Sequence, residues 1–182
     1  MRPDDDPDVN ANAPAAEHGP GLLALYDTAL PHVYGYLAAR VRDRAIAEDL
    51  TAETFLAAVT AVRRETTPAM SMPWVLGVAR HKLVDHWRRE AREERNLRVL
   101  ADTLPTAADP WDAELDAVRA RQTLDLLASQ HRAALTLRYL DDLPVREVAS
   151  LLGRTLEATE ALLVRARAAF RRIYADEDSP DA

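Results

Sequence analysis

Between Leu140 and Gly153 runs the stretch that most limits how this chain folds, Leu-Asp-Asp-Leu-Pro-Val-Arg-Glu-Val-Ala-Ser-Leu-Leu-Gly. Val145, Val148, Ala149 and Leu152 recur at helical spacing and predict a short helix with one buried side. Gly153 supplies a tight turn, and a long amphipathic run follows to Tyr174. Short helix, turn and second helix make a helix-turn-helix pattern. In the second helix Thr159, Leu162, Leu163, Ala166, Ala169, Phe170 and Ile173 share one face. The opposite side collects Glu157, Glu160, Ala161, Val164, Arg165, Ala168, Arg171 and Arg172.

The rest of the chain is also helical in pattern, with few residues that favour strands. Leu22, Leu25, Tyr26, Leu30, Val33 and Leu37 predict a first helix, interrupted or kinked at Pro31. A second helix is expected from about Ala45 to Val62, with Ile46, Leu50, Phe55, Ala57, Val59 and Ala61 buried. Arg63-Arg-Glu-Thr-Thr-Pro-Ala-Met-Ser71 breaks the pattern and reads as a loop. A third helix begins near Pro73, a residue suited to a first helical turn, and ends near Arg98. Leu76, Ala79, Leu83 and Trp87 form its apolar side. Ala101-Asp-Thr-Leu-Pro-Thr-Ala-Ala-Asp-Pro110 holds two prolines and little to bury, as an interdomain linker would. The expected architecture is all-α: two small helical domains, 21–100 and 114–175, joined by a flexible linker over 101–113. Acidic tails occupy 1–20, read as disordered, and 176–182.

Composition narrows the chemistry. The sequence has no cysteine, which excludes disulfides, cysteine-ligated zinc and thiol catalysis. No apolar run is long enough to cross a bilayer, and the acidic, proline-rich start is unlike a signal peptide, so a cytoplasmic protein without membrane insertion is expected. A net charge of −7 looks wrong for a nucleic-acid binder until it is located. Residues 1–20 and 175–182 each carry −4, which leaves 21–174 at +1. A near-neutral body can still concentrate positive charge on one face. Of the 23 basic residues only Lys82 is a lysine; arginine suits bidentate contacts to phosphate or guanine, although a GC-rich genome gives the same bias.

Three surfaces stand out. On the second helix Asp49, Glu53, Leu56 and Thr60 line a narrow strip with Glu48 nearby, and a leucine amid exposed acids suits a protein partner. On the third, Trp74, Val78, His81, Asp85 and Arg88 form a stripe flanked by Lys82 and Arg89. Bases stack on aromatics and the backbone needs cations, so this stripe fits single-stranded nucleic acid, unless Trp74 is simply core. In the helix-turn-helix, Arg154 and Arg165 are the foremost contact candidates. Glu157 and Glu160 are repelled by phosphate, yet a carboxylate accepts a bond from cytosine N4; the alternative is that they only solvate the helix. His81 and Asp85 at i and i+4, with His86 near, are too few for a metal site. With neither a phosphate-cradling glycine loop nor a nucleophile motif, no enzyme and no cofactor are expected.

Ala47-Glu-Asp-Leu-Thr-Ala-Glu-Thr-Phe-Leu56, followed by Pro73-Trp-Val-Leu-Gly-Val-Ala-Arg-His-Lys-Leu-Val-Asp-His-Trp-Arg-Arg89, resembles the second conserved region of extracytoplasmic-function sigma factors. Leu127 to Ala149, followed by Arg165-Ala-Arg-Ala-Ala-Phe-Arg-Arg172, resembles their fourth. The resemblance covers most of the body, in family order, with a linker between and no third region. It implies a factor that binds core RNA polymerase and directs it to promoter DNA. Asp49, Glu53, Phe55 and Leu56 match the segment that docks on the clamp helices of the largest polymerase subunit. Arg63, Arg64, Thr66 and Thr67 lie in the loop that captures a base flipped from the −10 element. Trp74, Arg80, His81, Lys82 and Arg88 match the helix on the upstream edge of the melted bubble. Arg154, Glu157, Glu160, Ala161 and Arg165 match the −35 reader. Control by an anti-sigma factor wedged against both domains is implied in the same way.

Two departures from the family pattern are specific. The reading helix opens Leu156-Glu-Ala-Thr-Glu-Ala-Leu-Leu, where relatives commonly carry Gly-Thr-Val followed by basic and serine residues. The 63–71 loop has no aromatic residue to stack on a captured base. The alternative function is a stand-alone helix-turn-helix regulator that binds an operator as a dimer, with half-sites about one DNA turn apart.

Overall fold

The computed structural model describes residues 15–64, 71–97 and 117–176. Among these every element is helical. An N-terminal unit holds α1 (Ala15–Ala38), α2 (Arg44–Arg63) and α3 (Met72–Leu97). A C-terminal unit holds α4 (Ala117–Leu126), α5 (Ser129–Leu135), α6 (Val145–Leu152) and α7 (Leu156–Asp176). Both predicted acidic tails except Ala15–Pro20 and Asp176, and the whole linker over 101–113, lie outside the described residues.

Helix α1 continues through Pro31, so the interruption allowed for there does not occur. Packing explains it: Ala29, Val33 and Leu37 are fully buried on either side of the proline, and that burial outweighs one lost backbone bond. Helix α2 starts at Asp43, whose carboxylate accepts the Ala45 amide at 2.8 Å. Its buried face is Ala47, Leu50, Thr51, Thr54, Phe55 and Ala58, so Ile46, Ala57, Val59 and Ala61 are only half-buried, contrary to expectation. Two threonines turn inward because their hydroxyls bond back to Ala47 O and Leu50 O, each at 2.7 Å. On α3 the inner face is Val75, Ala79, Leu83, Val84 and Trp87, which corrects Leu76 to half-buried.

In the C-terminal unit, α5 continues into one π turn over Thr136–Leu140, closed by the Asp141 amide on Thr136 O at 3.0 Å. The wider winding ends the helix with Asp141 directed at the N-terminal unit. Asp142 follows at φ 50°, a conformation that aspartate tolerates better than most residues. Leu124, Leu127, Ala134, Leu135, Leu162, Leu163, Ala166 and Phe170 form this unit's core. The predicted inner face of α7 is largely realised, with Ala169 and Ile173 half-buried at its margin.

The two units touch. One apolar cluster runs from Val33, Leu37 and Leu83 of the N-terminal unit to Ala133, Leu137, Leu143 and Val148 of the other. The α3 face packs on α5 and α6. Ala128, at the start of α5, offers no side-chain cap; Glu94 of α3 does so instead, accepting Ser129 N at 3.2 Å and Ser129 Oγ at 2.5 Å.

Candidate nucleic-acid and polymerase interface

The α2 strip is open to solvent. Asp49 and Thr60 are exposed, Glu53 is half-buried, and Leu56 leaves 66 % of its surface accessible. An aliphatic side chain so exposed gains nothing from folding and gains about 1.5–3 kcal/mol if a partner covers it. Phe55 points the other way, into the core, with its ring edge-on to Tyr26 at 4.6 Å between centroids. It backs the strip from the core side.

The α3 stripe begins beside that strip. Lys82 Nζ sits 3.3 Å from Glu53, so the predicted polymerase and −10 residues are contiguous. Trp74 is half-buried and packs against the core. His81 is exposed, with Nδ1 2.8 Å from Gly77 O, and Asp85 pairs with Arg88 at 3.4 Å. Among the described residues no group of three or more possible metal ligands forms. Arg63 and Arg64 are exposed at the end of α2; Thr66 and Thr67 lie outside the described residues.

Beside the stripe, α3 meets the other unit, while His81, Asp85 and Arg89 stay exposed and Arg88 is half-buried. Arg80 Nε reaches Asp141 Oδ2 at 3.3 Å. The same carboxylate accepts Tyr36 Oη at 2.8 Å and Arg40 Nη2 at 2.7 Å, and its side chain is 2 % exposed. Burial first, and Asp141 second, push the Tyr36 phenol well above its usual pKa, so it stays a donor at physiological pH. Arg88 Nη2 donates to Leu151 O. Glu90 pairs with Arg132 at 2.5 Å, and the Arg132 side chain is 5 % exposed.

The helix-turn-helix forms where expected. Gly153 ends α6 at φ 62°, the left-handed region that glycine enters without strain. The tip of the Arg88 side chain lies 3.0 Å from where a Cβ would stand and could shift, so it is the left-handed backbone that calls for glycine. Glu157, Glu160 and Ala161 are exposed along the leading turns of α7. Arg154 bonds Gln130 Oε1 at 3.3 Å, and Arg165 Nε folds back on Ala161 O at 3.3 Å. A cleft of ≈ 380 Å³ between the units brings Arg154 together with Arg88, Arg92 and Arg95 of α3, with no carboxylate in its lining. Reasoning from sequence missed Tyr36, Arg40, Asp141 and Arg132, and their acid–base complementarity is visible only once the fold pairs them.

No helix among the described residues is long and apolar enough to cross a membrane. Residues 25–93 match the sigma-70 region 2 family and residues 117–170 match the sigma-70 region 4 family. The chain is 32 % identical over 158 residues to the ECF RNA polymerase sigma factor BldN of Streptomyces coelicolor, covering 84 % of this chain and 60 % of BldN. It is 27 % identical over 152 residues to the ECF sigma factor SigM of Bacillus subtilis, covering 82 % of this chain and 93 % of SigM. The fold resembles that of Bartonella quintana sigma factor RpoE, solved with the anti-sigma factor NepR, at a TM-score of 0.52 and 16 % identity, over 85 % of this chain and 97 % of RpoE. Two family matches in the sigma-70 order, on elements that are all helical among the described residues, place this chain among the extracytoplasmic-function sigma factors.

Proposed function

We propose that the protein binds core RNA polymerase and directs promoter-specific initiation, under the control of an anti-sigma factor. The observation that carries this reading is the pairing of a region 2 and a region 4 unit on one chain, the first with an open acidic strip around Leu56. Asp49, Glu53 and Leu56 dock on the polymerase, with Phe55 behind them. Arg63, Arg64, Thr66 and Thr67 receive a base flipped out of the −10 element. Flipping costs a few kcal/mol, and these residues offset it with hydrogen bonds and charge, since the loop has no aromatic ring. Trp74, Arg80, His81, Lys82 and Arg88 follow the melted strand. Region 4 reads the −35 duplex through Arg154, Glu157, Glu160, Ala161 and Arg165. The two glutamates accept from cytosine N4, and the arginines anchor on phosphate.

Run-off transcription by core enzyme plus this protein, over a library of genomic promoters, tests the reading directly. Specific transcripts are expected, and failure on every promoter would overturn it. Co-purification with an inhibitory protein at native expression tests the anti-sigma proposal; a chain found only with polymerase would count against it. A stand-alone dimeric regulator would instead bind a palindromic duplex without polymerase, and the exposed Leu56 strip has no task in that reading.

A further inference from the structure

We infer that the arginine-lined cleft beside α3 is a binding site for a small anion carrying two or more neighbouring phosphate groups. Arg88, Arg92 and Arg95 stand at i, i+4 and i+7 along one side of α3, and Arg154 joins them from the turn before α7. No carboxylate lines the cleft. The acids Glu90 and Glu94 of α3 are engaged elsewhere, by Arg132 and by Ser129. Each arginine is held instead by a neutral acceptor. Arg88 donates to Leu151 O and Arg154 to Gln130 Oε1 at 3.3 Å, while Arg92 Nε and Arg95 Nε bond Arg88 O and Ala91 O at 3.1 and 3.0 Å. Such bonds fix the guanidinium groups and leave their charge uncompensated. Among the described residues only Arg88 of the four has a carboxylate partner, Asp85 at 3.4 Å.

Charge sets the class of ligand. Four guanidinium groups around one cleft repel one another, and a single phosphate group carries only about −1.5 to −2 at pH 7, so two or more are needed to balance them. Guanidinium also presents its donors in pairs, which match phosphate oxygens two at a time. Shape separates this ligand from DNA. The cleft holds ≈ 380 Å³, the small end of the range for ligand pockets, and Trp87 and Leu162 make part of its wall apolar. The buried Trp87 indole N–H has no acceptor among the described residues, which adds an unmet donor to that wall. A duplex is too wide to enter such a recess, and it strings its phosphates along an edge instead of bringing two to one place. The site stands on the cleft and not on the promoter roles proposed above, although it shares Arg88 and Arg154 with them.

Isothermal calorimetry on the full chain, without polymerase or promoter, tests the site with inorganic triphosphate, ATP and GTP, and with orthophosphate as the single-phosphate control. One oligophosphate per chain is expected, with orthophosphate at least about tenfold weaker because it engages fewer of the arginines. Equal affinity for inorganic triphosphate and the nucleotides would support a site for free oligophosphate; tighter nucleotide binding would support a site for a nucleotide. Arg92→Gln combined with Arg95→Gln, both at exposed positions, should weaken binding by at least about tenfold while helical circular dichroism stays unchanged. Arg154→Gln should weaken it as well, and it decides if the paired variant unfolds. Arg42→Gln combined with Arg121→Gln removes the same charge at exposed positions outside the cleft, and should change affinity by less than about twofold because distant exposed charges are screened. No binding of any oligophosphate at millimolar concentration overturns the site. Equal losses in the two paired variants overturn it too, since they would reveal attraction by net charge alone. A promoter duplex whose binding falls in the cleft variants, with no small anion bound by the parent chain, would assign these arginines to DNA instead. Because polymerase is absent, failure here leaves the sigma reading intact, and failure of run-off transcription leaves the anion site intact.

Discussion

The α2 strip and the inner face of α3 belong to one unit, yet they meet different fates. Leu56 on α2 stands in solvent, while Trp87 on α3 is sealed under the C-terminal unit. Acidic and apolar residues together give α2 a solvent-facing strip around Leu56. Arginines and a tryptophan make α3 a surface that its own chain can satisfy, through Asp141, Leu151 O and Ala133.

The sharpest contrast is a pair of truncations. Trp87→Ala should cost about 3 kcal/mol of stability in urea unfolding, because it empties a site fully enclosed between the units. Leu56→Ala should change stability by less than about 0.5 kcal/mol, as expected of an exposed side chain. The same change should weaken core-polymerase binding by about 2 kcal/mol, roughly thirtyfold, if Leu56 is a central anchor. Equal stability losses at the two positions would erase the distinction.

Glu90→Ala leaves the nearly buried Arg132 guanidinium without its carboxylate. Breaking a fully buried pair costs about 3–5 kcal/mol, and because Glu90 is 31 % exposed a loss of about 2 kcal/mol is expected. Lower m-values than in the parent chain would show that the units part before they unfold. Gly153→Ala should cost about 1 kcal/mol from the left-handed backbone alone, and it also presses on Arg88. A thermal midpoint equal to the parent's would show that the turn relaxes freely.

The smallest effect is one of pH. Burial chiefly, with Arg89 and Arg132, lowers the His86 pKa below its ordinary value of 6.5, against the pull of Glu90 and Glu93. The folded chain therefore resists protonating His86 more than the unfolded chain does. The stability this represents is complete above pH 6.5 and is lost as pH falls through the lower, folded value. Urea midpoints at pH 7.5 and 5.5 should differ more in the parent chain than in His86→Gln. No difference between the two would mean that α3 is not sealed at this point.

What was legible in the sequence follows from range. The helix-turn-helix could be read because Val148, Ala149 and Gly153 act over one or two turns, and periodicity records that directly. The inner face of α3 was caught at Ala79, Leu83 and Trp87 and missed at Val75 and Val84, because a wheel cannot count the neighbours arriving on either side. Thr51 and Thr54 were overlooked because their hydroxyls are satisfied within their own helix, so polarity did not keep them out. Asp141 was unreadable for a different reason. Its donors lie 61 to 105 residues away, and nothing local marks an exposed-looking acid in a loop as a buried acceptor. Glu94 capping Ser129 across 35 residues is another such case.

The leading turns of α7 carry Glu157, Glu160 and Ala161 in solvent, clear of the residues that join the two units. Substitutions there alter a solvent face without disturbing the contacts that hold the two units together.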